Sequence, residues 1–169
     1  ESLFTESYEA MAAELEGFFK LENSEPAFRP IVAFGKRSSM PHYVSSNRKL
    51  KASDMVLIDL GASVRGYHGD LTRTWLSRKM KTKERYIHRI VLDAQRAAIE
   101  KVKPGVRLAA IDAAARQVIA SSGYGENFGH GLGHGIGLNV HELPRLSARS
   151  EGRCRKGMVF TLITRLLSG

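Results

Sequence analysis

A chain of 169 residues, 43% hydrophobic and 25% charged, has the length and composition of one soluble globular domain with a sizeable core. No apolar run approaches the roughly 20 residues that span a bilayer. Glu1-Ser2-Leu3-Phe4 lacks the basic start of a signal peptide, and a single cysteine excludes a disulfide scaffold.

From the N-terminus, Tyr8, Met11, Ala12, Leu15, Phe18 and Phe19 fall at helical spacing and predict a helix over 6–19. A polar loop, Glu22 to Pro26, precedes a short strand at Ile31-Val32-Ala33-Phe34. Met55 to Leu60 is short, apolar and β-branched, which predicts a buried strand. Gly61 and Gly66 punctuate a turn, and a second strand follows over 70–75. The longest helix is expected over 83–102, with Ile87, Ile90, Val91, Ala94, Ala98 and Val102 as its apolar stripe and His88 on its solvent side. Pro104-Gly105 stops it. Another helix spans 108–121, with Gly123 as its C-terminal signal, and Met158 to Leu162 is a last strand candidate. The Ala-rich helices at 5–19 and 107–119 each precede a loop and a His-bearing segment, which hints at two related halves.

The net charge of +9 raises the question of a nucleic-acid partner. Its carriers gather at Arg78, Lys79, Lys81, Lys83, Arg85 and Arg89, and again at Arg149, Arg153, Arg155 and Lys156. The second cluster has no interleaved aromatics, and the chain has no RNA- or DNA-binding signature. A solvated basic face is the favoured reading, with no nucleic acid and no membrane as partner. Cys154, between Arg153 and Arg155, reads as an incidental loop cysteine, and its solitude fits a reducing cytoplasm.

Chemistry concentrates in Gly129-His130-Gly131-Leu132-Gly133-His134-Gly135-Ile136-Gly137, closely followed by His141-Glu142. Three of the six histidines fall within twelve positions on a backbone almost free of side chains. Imidazole and carboxylate are a common ligand set for catalytic divalent metals, and glycines let backbone and substrate approach such a centre. Asp59 closes an apolar strand, where a carboxylate needs a compensating charge unless it only caps the turn at Gly61. Asp70 opens the next strand. If the two flank a hairpin, their carboxylates converge, and a cation between them relieves the repulsion. His134 is either a ligand or part of a plain glycine-rich loop. His42, His130 and His141 are candidates for substrate contact or proton transfer. The glycine spacing matches neither the Walker loop nor a dinucleotide fingerprint, and Pro144 rules out a zincin helix.

In their order, Pro41-His42-Tyr43, Ile58-Asp59-Leu60-Gly61, Gly69-Asp70-Leu71-Thr72-Arg73-Thr74, the Gly/His segment and Val140-His141-Glu142 resemble the catalytic domain of Xaa-Pro aminopeptidases and prolidases. These are pita-bread metallopeptidases, related to methionine aminopeptidase. The resemblance runs from about Thr5 to Leu162. It implies an α+β pita-bread fold, with pseudo-twofold halves and an antiparallel curved sheet covered by helices. It also implies hydrolysis of the bond between an N-terminal residue and proline in a peptide substrate. The implied cofactor is a pair of divalent ions, manganese first and cobalt or zinc as alternatives. Asp59 would chelate one ion, Asp70 bridge both and His134 hold the second. His42 and His141 would bind substrate and stabilise the tetrahedral intermediate, and His130 would line the pocket. A homodimer is left open.

The resemblance also implies a Glu-Pro-Gly after Phe160-Thr161-Leu162, whose Glu is a metal ligand. Here Ile163-Thr164-Arg165 stands instead, and the family's last bridging Glu would fall beyond Gly169. The expectation is therefore a single partial domain over 1–169, incomplete at both termini, that holds one ion weakly and has impaired activity. An unpaired sheet edge would accompany the loss. The alternative is a non-catalytic relative that keeps the fold as a peptide- or protein-binding module.

Overall fold

A computed structural model of the chain describes residues 8–39, 49–164 and 166. The chain divides into two compact units, Glu1–Thr82 with Leu138–Val140, and Lys83–Gly137 with His141–Gly169.

In the first unit, helix α1 (Tyr8–Leu21) begins with Glu9 and ends with Lys20, the signs its dipole favours. Asn23 takes the left-handed conformation (φ 52°) just after it. There the Ser24 amide and hydroxyl both donate to the Phe19 carbonyl at 2.9 Å, satisfying an end that the helix leaves open. Ala12 and Phe19 are buried, while Phe18, read as part of the apolar face, is 57% exposed. After β1 (Glu25–Pro26), β2 (Ile31–Phe34) pairs antiparallel with β3 (Val56–Leu60), Ile31 opposite Asp59 and Phe34 opposite Val56. Ala12, Val32 and Phe34 form the core, with Met11, Leu15, Leu50, Val56 and Ile58 packed against it.

The hairpin after β3 is longer than the sequence suggests. The chain continues through β4 (Ala62–Val64) and β5 (Tyr67–His68) before returning as β6 (Leu71–Trp75). Arg65 and Gly66, both at positive φ, make the two-residue turn at its tip, the geometry that matches the twist of paired strands. The base of the hairpin belongs to a sheet of order β2-β3-β6 and its tip to a sheet of order β1-β4-β5.

In the second unit, α2 (Thr82–Lys101) buries Ile90, Ala94 and Ala98 at fourfold spacing. His88 is half-buried rather than solvent-facing, and that burial lowers its imidazole pKa below the usual value. Helix α3 (Leu108–Ser121) has no side-chain cap at its start. The Leu108 amide donates to the Gly152 carbonyl instead, and the neighbouring Cys154 amide donates to Val106. Cys154 is thereby a buried member of the core, not an incidental loop residue. That core joins Ile90, Ala94 and Ala98 to Leu108, Ile111, Ala115, Ile119, Phe128, Leu132 and Leu146.

The remaining strands, β7 (Gly133–Gly135) and β8 (Glu142–Leu146), pair antiparallel, with an irregularity between His134 and Gly135. The segment expected as a strand over 158–162 runs along the other side of β7. Thr161 donates to His134 and Ile163 to Leu132, but only Gly135 and Phe160 form a bridge, so no regular strand results. No helix among the described residues is long and apolar enough to cross a membrane.

Candidate metal and peptide site

Two groups of candidate residues emerge, one in each unit. In the first unit, Asp59 lies directly opposite Thr72 in the β3–β6 ladder. It is half-buried, and the Thr72 hydroxyl donates to its Oδ1 at 2.8 Å. That bond holds the carboxylate in one orientation while leaving its charge intact. Asp70 immediately precedes β6, two residues before Thr72. His42 lies outside the described residues.

In the second unit, His130, His134 and His141 line one pocket of about 710 Å³ with Glu142, Arg145 and Ile163. The rings of His134 and His141 are 4.2 Å apart between centroids. Strand β7 owes its position to its glycines. A methyl group on Gly133 would collide with the Thr161 carbonyl, and one on Gly135 with the Leu143 carbonyl. The three backbones approach so closely that only hydrogen fits between them. Gly133→Ala is therefore expected to destabilise the chain by about 1–3 kcal/mol through forced backbone separation, read as a lowered urea midpoint. An unchanged midpoint would show that the segments part freely.

The backbone also sets the imidazoles. His134 Nδ1 lies 3.0 Å from the Gly135 carbonyl, and His130 Nδ1 lies 2.7 Å from the Gly131 carbonyl. A carbonyl only accepts, so Nδ1 is the donor in each contact. This is the arrangement in which histidine serves as a metal ligand. The individual donors, carboxylate and Nε2 imidazole, suit a divalent ion. Among the described residues, however, no group of three or more His, Cys, Asp or Glu side chains is gathered to hold one.

Ile163 contributes hydrocarbon to the wall of the histidine pocket. Beside it, the Thr164 hydroxyl is buried with no hydrogen-bond partner among the described residues. Such a group forfeits its hydration without return. Thr164→Val, which removes the hydroxyl at nearly constant shape, is expected to stabilise the chain by about 1 kcal/mol, seen as a higher melting temperature. A lower one would mean that the hydroxyl finds a partner in solution.

Two residues of this site have no place in the sequence reading. Asp112 is fully buried on α3 and forms a two-pronged ion pair with Arg116, at 2.9 and 3.1 Å. Asp112 Oδ1 also accepts the Leu132 amide at 3.1 Å. Arg116 donates to the carbonyls of Phe128 and His130, at 2.8 and 3.0 Å. The signal was present: an aspartate on the stripe of Ile111 and Ala115, with arginine four residues on.

The chain is 46% identical over 153 residues to the Xaa-Pro dipeptidase of Pyrococcus horikoshii, covering 90% of this chain and 44% of that protein. The crystal structure of the prolidase from Pyrococcus horikoshii OT3 superposes with a TM-score of 0.95 at 41% identity, over 99% of this chain and 49% of the other. The X-Pro aminopeptidase of Thermotoga maritima MSB8 gives 0.89 at 39% identity, over 94% and 46%. The fold is the mixed α/β pita-bread architecture with antiparallel sheets. The chain spans about half the length of the curated relatives it matches. With a family match running over residues 5–167, the chain belongs to metallopeptidase family M24.

Proposed function

We propose that this chain is a partial pita-bread domain of a metal-dependent peptidase that releases an N-terminal residue from a following proline. The observation that carries it is that His130, His134, His141 and Glu142 all line one pocket, in a chain this similar to proteins named Xaa-Pro dipeptidase and prolidase. Asp59 and Asp70 are the carboxylate ligands in this reading, and His134 is the imidazole ligand. A divalent ion, manganese by preference, would supply Lewis acidity and lower the pKa of a water molecule toward neutrality.

The chain's own residues do the rest. The Thr72 hydroxyl orients the Asp59 carboxylate. Thr161 holds the His134 backbone from both sides, its amide donating to the His134 carbonyl at 2.8 Å and its hydroxyl accepting the His134 amide at 3.3 Å. In this reading His141, exposed at the pocket wall, touches the peptide and carries a proton, a role the sequence also assigns to His42. His130 lines the pocket, and the exposed Leu143 offers apolar surface to a proline ring. The expected setting is the cytoplasm, with dimerisation left to measurement.

A second reading has one specific observation behind it. Ile163 puts hydrocarbon, not a ligand, into the pocket wall, which suits a module that binds peptide without metal. The test is metal content and Xaa-Pro dipeptide hydrolysis with added manganese. It uses this chain, its His134→Ala variant, and a chain with Glu-Pro-Gly at 163–165 extended by the final strands of the relatives. Weak hydrolysis that rises in the completed chain and disappears in His134→Ala supports the peptidase. Folded proteins that bind no manganese and cleave nothing in every case overturn it in favour of the binding module.

A further inference from the structure

We propose that the Asp112–Arg116 pair is a positioning element of the pocket: it fixes the Phe128–Leu132 backbone and thereby sets the tautomer and aim of the His130 imidazole. The contacts form an unbroken path. Asp112, buried and without exposed surface, grips Arg116 with both oxygens. The Arg116 guanidinium turns two further donors to the carbonyls of Phe128 and His130, and Asp112 takes the Leu132 amide from the far end of the same stretch. The guanidinium also lies 4.5 Å from the centre of the Phe128 ring, and that ring meets the His130 ring edge-on at 4.8 Å. One ion pair therefore holds three backbone groups and one ring of a five-residue segment.

This segment needs an external clamp. Gly129 and Gly131 flank His130 and give its backbone more freedom than any other residue would. The Nδ1–H donation from His130 to Gly131 at 2.7 Å exists only while that backbone keeps its course. In water a neutral imidazole favours the other tautomer, with the proton on Nε2. The local hydrogen bond favours the Nδ1–H form instead. Only a planar fork with several donors can serve Asp112 and two carbonyls at once, and lysine lacks that geometry. The value of the clamp to catalysis rests on the peptidase reading, since that reading places His130 beside substrate. The clamp itself does not.

The test is nitrogen-15 NMR of labelled histidine in this chain, with His130 assigned by its loss in His130→Gln. In the parent, His130 is expected to show the Nδ1–H pattern. In Arg116→Lys it is expected to move toward the Nε2–H pattern, with the His141 signals unchanged. A pair that merely stabilised the helix would lower the unfolding midpoint and leave the His130 pattern alone. That outcome in a folded variant overturns the proposal. If Arg116→Lys does not fold, the neutral pair Asp112→Asn with Arg116→Gln carries the same readout, and an unchanged tautomer there overturns it equally. No turnover is required. Failure of hydrolysis alongside a shifted tautomer would sink the peptidase reading alone, and the converse would sink the clamp alone.

Discussion

Ile163→Glu is expected to tighten manganese binding to this chain by roughly tenfold or more, about 1.4 kcal/mol, while Ile163→Gln leaves it unchanged. The position is fixed by backbone, because the Ile163 amide donates to the Leu132 carbonyl at 2.7 Å. The side chain belongs to the same pocket wall as His134. A carboxylate there adds an anionic oxygen donor, the ligand type that divalent manganese prefers. The glutamine control has the same shape and no charge, so it separates ligation from volume. In the absence of metal the new carboxylate loses hydration and lowers the melting temperature. Manganese at a hundredfold excess over its dissociation constant would then return about 2.7 kcal/mol, a rise of roughly 5–10 °C for a chain of this size. Titration calorimetry and melting curves read both effects. Equal affinities for the parent and the Glu variant would mean that position 163 does not face the ion, and the proposed ligand set would have to be redrawn.

What the sequence made legible follows the strength of the local pattern. Helix α3 begins and ends where its apolar stripe and Gly123 place it, and β2 matches the apolar run Ile31 to Phe34 residue for residue. In both, local periodicity and long-range packing call for the same structure. The strands β7 and β8 were not legible. Gly133-His134-Gly135 has too few side chains to show an alternation, and Glu142 to Leu146 contains Pro144. Their pairing depends on close backbone approach, which no local pattern encodes. The histidines stood out because glycines surround them, and three of them do share a pocket. Asp112 did not stand out, since one aspartate in an Ala-rich helix reads as a solvated surface residue.

That buried aspartate carries the second large effect. Arg116→Met is expected to cost about 3–5 kcal/mol, because it leaves the Asp112 carboxylate buried and without its cation. The carboxylate has no exposed surface, while the Arg116 side chain is 32% exposed, so the penalty falls mainly on the aspartate. Two further bonds go with it, since the Phe128 and His130 carbonyls lose their donor, and Leu132 stays bonded to an uncompensated charge. Against a typical domain stability of about 5–15 kcal/mol the loss is severe, and the melting temperature should fall by roughly 6–20 °C. Adding Asp112→Asn to Arg116→Met removes the stranded charge and keeps an oxygen for the Leu132 amide. The double variant should recover most of the loss, since replacing both partners of such a pair is far milder than removing one. The asymmetry decides between two accounts of the pair. A solvated i,i+4 pair contributes at most about 1 kcal/mol, and its single variants simply add. Urea titrations of the two single variants and the double one measure the coupling. An Arg116→Met cost below about 1 kcal/mol, or no recovery in the double variant, would place the pair among surface contacts and remove the clamp on the His130 segment.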